Sequence, residues 1–466
     1  VSAMHGASIR HRPRCAPIAF YGDDFTGAAA NLLEFHRRGL RGILFVETPN
    51  FERFKEVTAD LDVAGVAGIA RSLPPHAMAA EIEPALKLFE AAGARVIQYK
   101  ICATFDSSPE QGSFGTVLEL ARQCLGVQNV PIVAAHPDFG RYTAFGHHFA
   151  TYRGEVFRLD RHPSMAAHPA TPMHEADLRV HLARQTSLPI GICDFTELRR
   201  APVDRIVALI DQLDANATTA KAATLFDAIE AADLRKIAHA VWYASARRPL
   251  FAIASHGLAA GLAAHLSEQR PQSDAGAPQR PVDSIVVLSG SCTPNTAAQI
   301  AYARSQGWLV RRLALAEIAV RGENELADSL ALEICNALER KQSVVICTAA
   351  GLDDTSIARG TEVCEQLGAE SSALIGALYG AVLRRVSARR RLPRFVVAGG
   401  DTSSQTMRRL GIDALSVDAI NPTSQDAFMR IHAADPALNG AQVLLKAGQN
   451  GDDDHFVLAR EGRHWR

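Results

Sequence analysis

The chain has 466 residues, of which 47% are hydrophobic, with 49 lysine and arginine residues against 50 aspartates and glutamates and a formal net charge of -1. This length and apolar content fit two or three globular domains with ordinary cores. The balanced charge excludes a global field favouring nucleic acid or an anionic membrane, so any anionic ligand must be held by a local site.

The N-terminal stretch VSAMHGASIRHRPRC is basic and lacks the apolar run of a secretory signal. The first strand is expected at IAFYG (18–22), running into Asp23, Asp24, Thr26 and Gly27 and a helix over 27–38. Two adjacent carboxylates at a strand end can accept hydrogen bonds from a polyol, coordinate Mg2+, or take a proton from an attacking hydroxyl. The plain alternative is a helix N-cap beside a solvated acid. Strands follow at GILFVE and VAGVAGIA, the second ending near Arg71 before a helix over 75–92. An arginine there can clamp a substrate carboxylate, or simply sit on the surface beside a helix start.

The strand RVIQYKIC delivers KICATFDSSPEQGSFG (100–115), with Lys100, Thr104, Asp106, Ser107 and Ser108 ahead of a Gly-x-x-Gly entry to a helix over 113–125. Free N–H groups at that helix start, with Lys100 nearby, could hold a carboxylate or a phosphoryl group in flight. After the strand VPIVAAH, the stretches 136–149 and 158–174 hold six of the seventeen histidines. Neither has a metal-binding spacing such as HExxH, and Arg141 with the HPATP turn could instead form a lid or wall over substrate.

A long Ala-rich helical region ends at ARRPL, so a division is expected near residues 235–248, giving domains 1–240 and 241–466. The polar, proline-rich segment 267–281 reads as an exposed, mobile loop. The strands SIVVLSG, WLVRRLAL, SVVICTAA and RFVVAGG then follow, with a helix over 403–410. Three strand ends carry glycines and polar groups: Ser289-Gly290-Ser291, Gly399-Gly400-Asp401-Thr402-Ser403, and Lys446-Ala447-Gly448. Together they could surround a triphosphate, although none is a Walker A sequence and each could be a tight turn. The acidic run 452–454 reads as a solvated loop.

Short apolar strands alternating with amphipathic helices indicate an α/β fold: two domains, each a mainly parallel sheet flanked by helices, with ligands beyond the carboxyl ends of the strands. The eight cysteines are scattered without a CxxC pair, which argues for reduced thiols rather than disulfides or structural zinc. No run approaches the roughly 20 apolar residues of a membrane span, so the cytoplasm is the expected location.

GDDFTGA, ARS, K-x-C-x-TFDSS before G-x-x-G, SGSC and GGDTS, in that order over about residues 16–458, make the chain resemble the four-carbon acid sugar kinase family. The resemblance implies an N-terminal domain for the sugar acid, a C-terminal domain for ATP, and phosphoryl transfer to the terminal C4 hydroxyl in the cleft between them. It places Asp23, Asp24, Arg71, Lys100, Ala103, Thr104, Phe105 and Asp106 on the sugar-acid side. Ser289, Ser291, Gly399, Gly400, Asp401, Thr402 and Gly448 fall on the ATP side. Asp24 and Asp401 are the rival candidates for the base, ATP and Mg2+ are the implied cofactors, and the Mg2+ ligands stay unassigned. The family's K-x-G-x-F-G appears as KAGQNG, with Asn450 in place of the aromatic residue, and its CSTFDST as CATFDSS, with Ala103 in place of a serine. The TFDS form looks more like members acting on 3-oxo acids than like threonate kinases, and the Ala103 methyl suits an altered or branched acid such as 3-oxo-isoapionate. D-threonate and D-erythronate remain alternatives, as does a non-catalytic sugar-acid and ATP sensor. A dehydrogenase is disfavoured because no GxGxxG follows the first strand. Association into a homo-oligomer is left open.

Overall fold

The computed structural model describes residues 15–166, 168, 171–211, 221–268, 279–349, 371–420, 426–448 and 450–463. Residues 269–278 of the expected exposed loop and the basic stretch 1–14 lie outside the described residues.

The strands β1 (Ile18–Gly22), β2 (Gly42–Phe45), β3 (Val63–Ala67), β4 (Val96–Lys100) and β5 (Val130–Val133) are parallel neighbours or belong to one parallel set. β1, β3, β4 and β5 are buried along their whole length, as strands covered by helices on both faces must be. The set continues with β9 (Ile190–Cys193), β10 (Ala223–Phe226) and β11 (Leu250–Ala254), and β11 lies between β4 and β5. Pairing therefore carries the first set of strands to Ala254, and the following helix His256–Ser267 packs against the helices Phe25–His36 and Ala231–Ala244.

The second set comprises β12 (Val286–Ser289), β13 (Leu309–Arg312), β14 (Val344–Cys347), β15 (Arg394–Ala398), β16 (Ala414–Ile420), β17 (Ala427–His432) and β18 (Gln442–Lys446). β12 to β15 and β18 run parallel, whereas β16, β17 and β18 turn back on one another antiparallel. Here the architecture departs from two separate sheets. β16 pairs antiparallel with β2 through Ala414 with Phe45 and Leu415 with Leu44, closing one 15-stranded sheet in the order β13-β14-β12-β15-β18-β17-β16-β2-β3-β1-β4-β11-β5-β10-β9.

A separate three-stranded antiparallel sheet of β6 (Arg141–Ala144), β7 (His147–Tyr152) and β8 (Glu155–Arg158) occupies the histidine-rich region. It is docked on the first set by His148, whose Nδ1 lies 2.9 Å from Thr143 Oγ1 and whose Nε2 lies 2.8 Å from the Ala103 carbonyl.

Close packing between strands β1 and β3 requires a glycine: a Cβ on Gly65 would stand 2.1 Å from Phe20 Cζ. Gly65→Ala is expected to cost about 1–3 kcal/mol through overpacking, seen as a lower Tm and urea midpoint, with the slope of the urea transition unchanged.

Candidate active site

β1 runs between β3 and β4 with Gly22 opposite both Ala67 and Lys100, so residues following these strands meet at one edge of the sheet. Backbone bonds fix the junction: Asp23 N–H donates to Lys100 O (3.0 Å) and Arg71 N–H to Asp23 O (3.1 Å). Asp24 is the N-cap of the helix Phe25–His36, accepting from Gly27 N–H at 3.2 Å. Its carboxylate also accepts from Thr26 Oγ1 (2.7 Å), Arg71 Nη2 (3.0 Å) and Lys100 Nζ (3.4 Å). The capping and chemical readings of Asp24 are thus one arrangement. Gly27 is what admits Lys100, because a Cβ there would stand 1.7 Å from Nζ.

The two neighbouring acids titrate in opposite directions. Burial alone would raise Asp24, but Arg71, Lys100 and the hydrogen bonds from Thr26 and Gly27 hold it well below the usual carboxylate range. Asp23 is fully buried, with neither carboxylate oxygen hydrogen-bonded among the described residues and Lys100 Nζ 4.0 Å away; burial pushes it up to about 7 against the pull of Lys100 and Arg71.

The Cys102–Asp106 loop leaves β4 beside these groups. Ala103 and Thr104 are buried, with Cys102 Sγ 2.9 Å from Thr104 Oγ1. Phe105 has a left-handed backbone (φ 58°), and its ring is sunk against Phe114 and His181. It acts as the loop's anchor. Asp106 is buried, and its Oδ1 has no partner among the described residues. The helix start expected to offer free donors is instead occupied: Ser113 accepts from Thr116 N–H, and Gln185 Oε1 accepts from Phe114 N–H (2.8 Å) and Gly115 N–H (3.3 Å). A side chain 70 residues downstream satisfies it, which local sequence does not reveal.

β12, β15 and β18 are adjacent, so Ser289-Gly290-Ser291, the Gly399 to Thr402 run and Lys446-Ala447-Gly448 converge at their carboxyl ends. Gly399 caps the helix Gly400–Leu410 with φ 113°, and a Cβ on Gly290 would stand 2.0 Å from Thr402 Oγ1. Ser289 Oγ is buried without a hydrogen bond among the described residues. Ser291 Oγ accepts from Thr296 Oγ1 (3.0 Å), and Thr293 Oγ1 donates to Gly448 O (2.7 Å). Lys446 lies beneath, donating to Thr296 Oγ1 and to the carbonyls of Ala447 and Gly448; burial lowers it to about 8. Asn295 and Gln299 hold the following turn through the carbonyls of Asn450 and Gly451.

The two groups of residues face each other. Arg71 Nη2 lies 3.8 Å from Asp401 Oδ1 as well as 3.0 Å from Asp24, and Phe25 N–H donates to Ser404 Oγ (3.3 Å). Two helix N-termini, at Phe25 and Gly400, therefore abut, their positive dipole ends beside the two aspartates. A small cleft between them is lined by Asp23, Asp24, Ile69, Ser72, Asp401, Ser404 and Gln405. Arg408 reaches from the second helix to Glu81, which also accepts from Tyr21 OH (2.9 Å). Ser404, Glu81 and Arg408 carry no local motif, and only the approach of two distant helices reveals them.

A model described as the sugar-binding N-terminal domain matches residues 18–262, and one described as the nucleotide-binding C-terminal domain matches residues 286–456. A Paraburkholderia graminis protein named 3-oxo-isoapionate kinase is 36% identical, over 98% of this chain and 97% of its own. Proteins named 3-oxo-tetronate kinase from Methylobacterium radiotolerans and Cupriavidus necator are each 30% identical, over 94% and 99% of this chain and 97% and 100% of theirs. Solved structures from Salmonella typhimurium LT2 and Haemophilus influenzae share the fold, with TM-scores of 0.73 and 0.67, identities of 24% and 23%, coverage of 96% and 95% of this chain and 99% of each of theirs. The chain belongs to the four-carbon acid sugar kinase family.

Gly27→Ala displaces Lys100 from Asp24 and is expected to lower kcat/KM for phosphoryl transfer roughly 100-fold, the scale of a misplacement of about 1 Å, in steady-state assays on protein shown by circular dichroism to be folded. Because Asp23 is raised from about 4 to about 7, the folded state keeps a proton that the unfolded chain releases, so its contribution to stability falls as pH rises through that window. Asp23→Asn should remove this fall, measured as a flatter dependence of urea midpoint on pH between about 4 and 7.

Proposed function

We propose that this member of the family is a cytoplasmic kinase that moves the γ-phosphoryl group of ATP to the terminal (C4) hydroxyl of a short 3-oxo sugar acid, with a branched acid of the 3-oxo-isoapionate type as the first substrate to test. The observation that carries the reading is the meeting of Asp24 and Asp401 at Arg71, between two helix N-termini drawn from opposite ends of the sequence. Two features support the branched acid: the relative named for it, and Ala103 where the family pattern has a serine hydroxyl. The strands up to Ala254 serve the sugar acid, and those from Val286 serve the nucleotide.

Phosphoryl transfer requires alignment and charge neutralisation more than covalent chemistry. Asp24, kept ionised by Arg71 and Lys100, accepts the hydrogen bond of the attacking hydroxyl and aims its oxygen across the cleft. Asp24 takes the proton released in transfer as the base, and Lys100, 3.4 Å from Asp24 and 4.0 Å from Asp23, offsets the charge of the pair. Arg71 balances the charge developing between Asp24 and Asp401. On the other side, the N–H groups at Gly400 to Thr402 and at Ser291 cradle phosphate oxygens, while those of Gly399 and Gly290 are spent on Lys446 O and Ala398 O and fix the two turns, with Gly448 closing the wall.

Mg2+ fits the residues present. No group of three His, Cys, Asp or Glu side chains converges among the described residues, but a metal arriving with a triphosphate needs only one or two protein carboxylates. Asp401, with its side chain 60% exposed beside the Gly399-Gly400 turn, would hold it. When bound, the metal would neutralise charge on the phosphate oxygens.

The test is ADP release from Mg-ATP with 3-oxo-isoapionate, 3-oxo-tetronates and D- and L-threonate and erythronate, followed by NMR of the product. Turnover on a 3-oxo acid, with phosphate on its terminal carbon, is expected. Asp24→Asn and Asp401→Asn should each lower kcat by about 100-fold or more, the scale of losing one transition-state contact. ATP binding without turnover on any acid would sink the kinase reading, and near-normal turnover in both variants would sink the placement of its chemistry.

A further inference from the structure

Under the kinase reading, on which this inference rests, the substrate's carboxylate is left without a counter-ion. Arg71 lies against Asp24 and Asp401, and Lys100 against Asp24 and Asp23. Both cations are thus already matched by the protein's own acids. A second anion entering this buried ground without a cation of its own would be strongly disfavoured.

Arg141, at the start of β6, is placed to supply that cation. In the β6–β7 register Arg141 pairs with Ala150 and Thr143 with His148, so Arg141 and Thr143, two residues apart, share one face with His148. His148 touches the Ala103 carbonyl, so this face looks onto the Cys102–Asp106 loop. One guanidinium nitrogen anchors the side chain: Nη1 donates to the carbonyls of Phe139 (3.1 Å), Gly140 (3.2 Å) and Thr151 (3.2 Å). Nε and Nη2 have no hydrogen bond to the described residues and remain available as a fork. Asp106 and Cys102 lie within electrostatic reach of that fork.

The surrounding polar groups are also incomplete. Arg141 and His136 exchange backbone hydrogen bonds at 2.9 and 3.1 Å, which sets the two residues side by side. His136 is 1% exposed, yet neither ring nitrogen has a hydrogen-bond partner among the described residues; Glu34 Oε1 is 3.9 Å from Nε2. Asp106, 7% exposed, leaves Oδ1 without a partner among the described residues. Buried donors and acceptors left unmade are costly, and a ligand with oxygens to match relieves that cost.

We propose that Arg141 binds the carboxylate of the sugar acid, while His136 and Asp106 read the oxygen substituents beside it, so that the molecule lies with its terminal hydroxyl at Asp24 and its acid group under β6. The small antiparallel sheet is then part of the substrate site. Its sequence, rather than that of the Asp23 to Arg71 edge, selects an acid over a neutral sugar.

The experiment compares the acid that the enzyme turns over with its primary carboxamide. Arg141→Gln is expected to raise KM for the acid roughly 100-fold, the loss of a charge-assisted pair, to leave KM for ATP unchanged, and to bring the acid-to-amide ratio of kcat/KM close to one. Arg71→Gln should lower kcat for acid and amide alike and keep the ratio. Because Nη1 also ties the Gly140 turn, Arg141→Lys is measured beside it, and should recover part of the acid preference. An undiminished acid-to-amide ratio in Arg141→Gln would overturn the proposal. Failure of the kinase reading has a different signature: the wild-type protein would phosphorylate neither compound. Calorimetric titration with the acid alone would then decide, since binding lost in Arg141→Gln supports the carboxylate site and binding retained overturns it.

Discussion

The ionised carboxylate of Asp24 is the group around which the rest of the cleft is built. A charge buried at the end of a strand is untenable alone, so four donors surround it: a helix N–H, a threonine hydroxyl, an arginine and a lysine. Each partner constrains something further. Lys100 requires glycine at position 27, Arg71 requires the short helical turn Ala70–Ser72 after β3, and the cap sets where the helix Phe25–His36 begins. The same arginine extends to Asp401, so the electrostatic solution for one half of the chain also fixes its contact with the other.

That contact rests on an unusual use of the sheet. β2 and β16 meet antiparallel at the junction of two otherwise mainly parallel strand sets, and Val46 N–H donates to Asp413 O alongside the pairing. The two helix N-termini are thereby brought together. Arg408 with Glu81, Arg53 with Asp413 and Phe25 with Ser404 hold this arrangement from the side-chain level. The two ion pairs are partly exposed and individually modest in energy, whereas the Phe25 to Ser404 bond is buried. Under the proposed function, their importance lies in aligning the Gly399 turn with Asp24, where small displacements carry a large kinetic penalty.

On the nucleotide side the design differs. Apart from Asp401, the turns after β12, β15 and β18 hold no charged side chain, and those after β12 and β18 hold one another through hydroxyls and carbonyls, with Thr293 and Thr296 linking Ser291 to Gly448. Lys446 is buried under them with its donors spent on that framework, so it acts as a brace for the loop. Tyr379 adds a further bond from behind, its hydroxyl donating to Ser289 O at 2.9 Å. The result is a set of turns held in place by side-chain hydrogen bonds, which under the proposed function leaves main-chain N–H groups for phosphate.

The amino-acid sequence by itself determined the α/β class, the strand ends at Gly22, Ala398 and Lys446, and the gathering of acids and glycines just beyond them. These follow from local physics: apolar runs of strand length must be buried, and a glycine beside polar groups at a strand end marks a backbone open to a ligand. A helix cap at the Asp23-Asp24 pair was legible only as the plain alternative beside a solvated acid; the structure makes Asp24 the cap and buries Asp23 completely. Tertiary structure alone decided which partner each charge would take. Arg71 pairs with acids at positions 24 and 401, and the helix start at Phe114 is satisfied by Gln185. Arg141 is brought over the Cys102–Asp106 loop by a sheet whose docking runs through His148. The joining of the two strand sets through β2 and β16 belongs to the same class. Such choices are set by competition among all groups that folding brings within a few ångströms, and a strand pattern encodes its own burial but not the identity of the charge that arrives beside it.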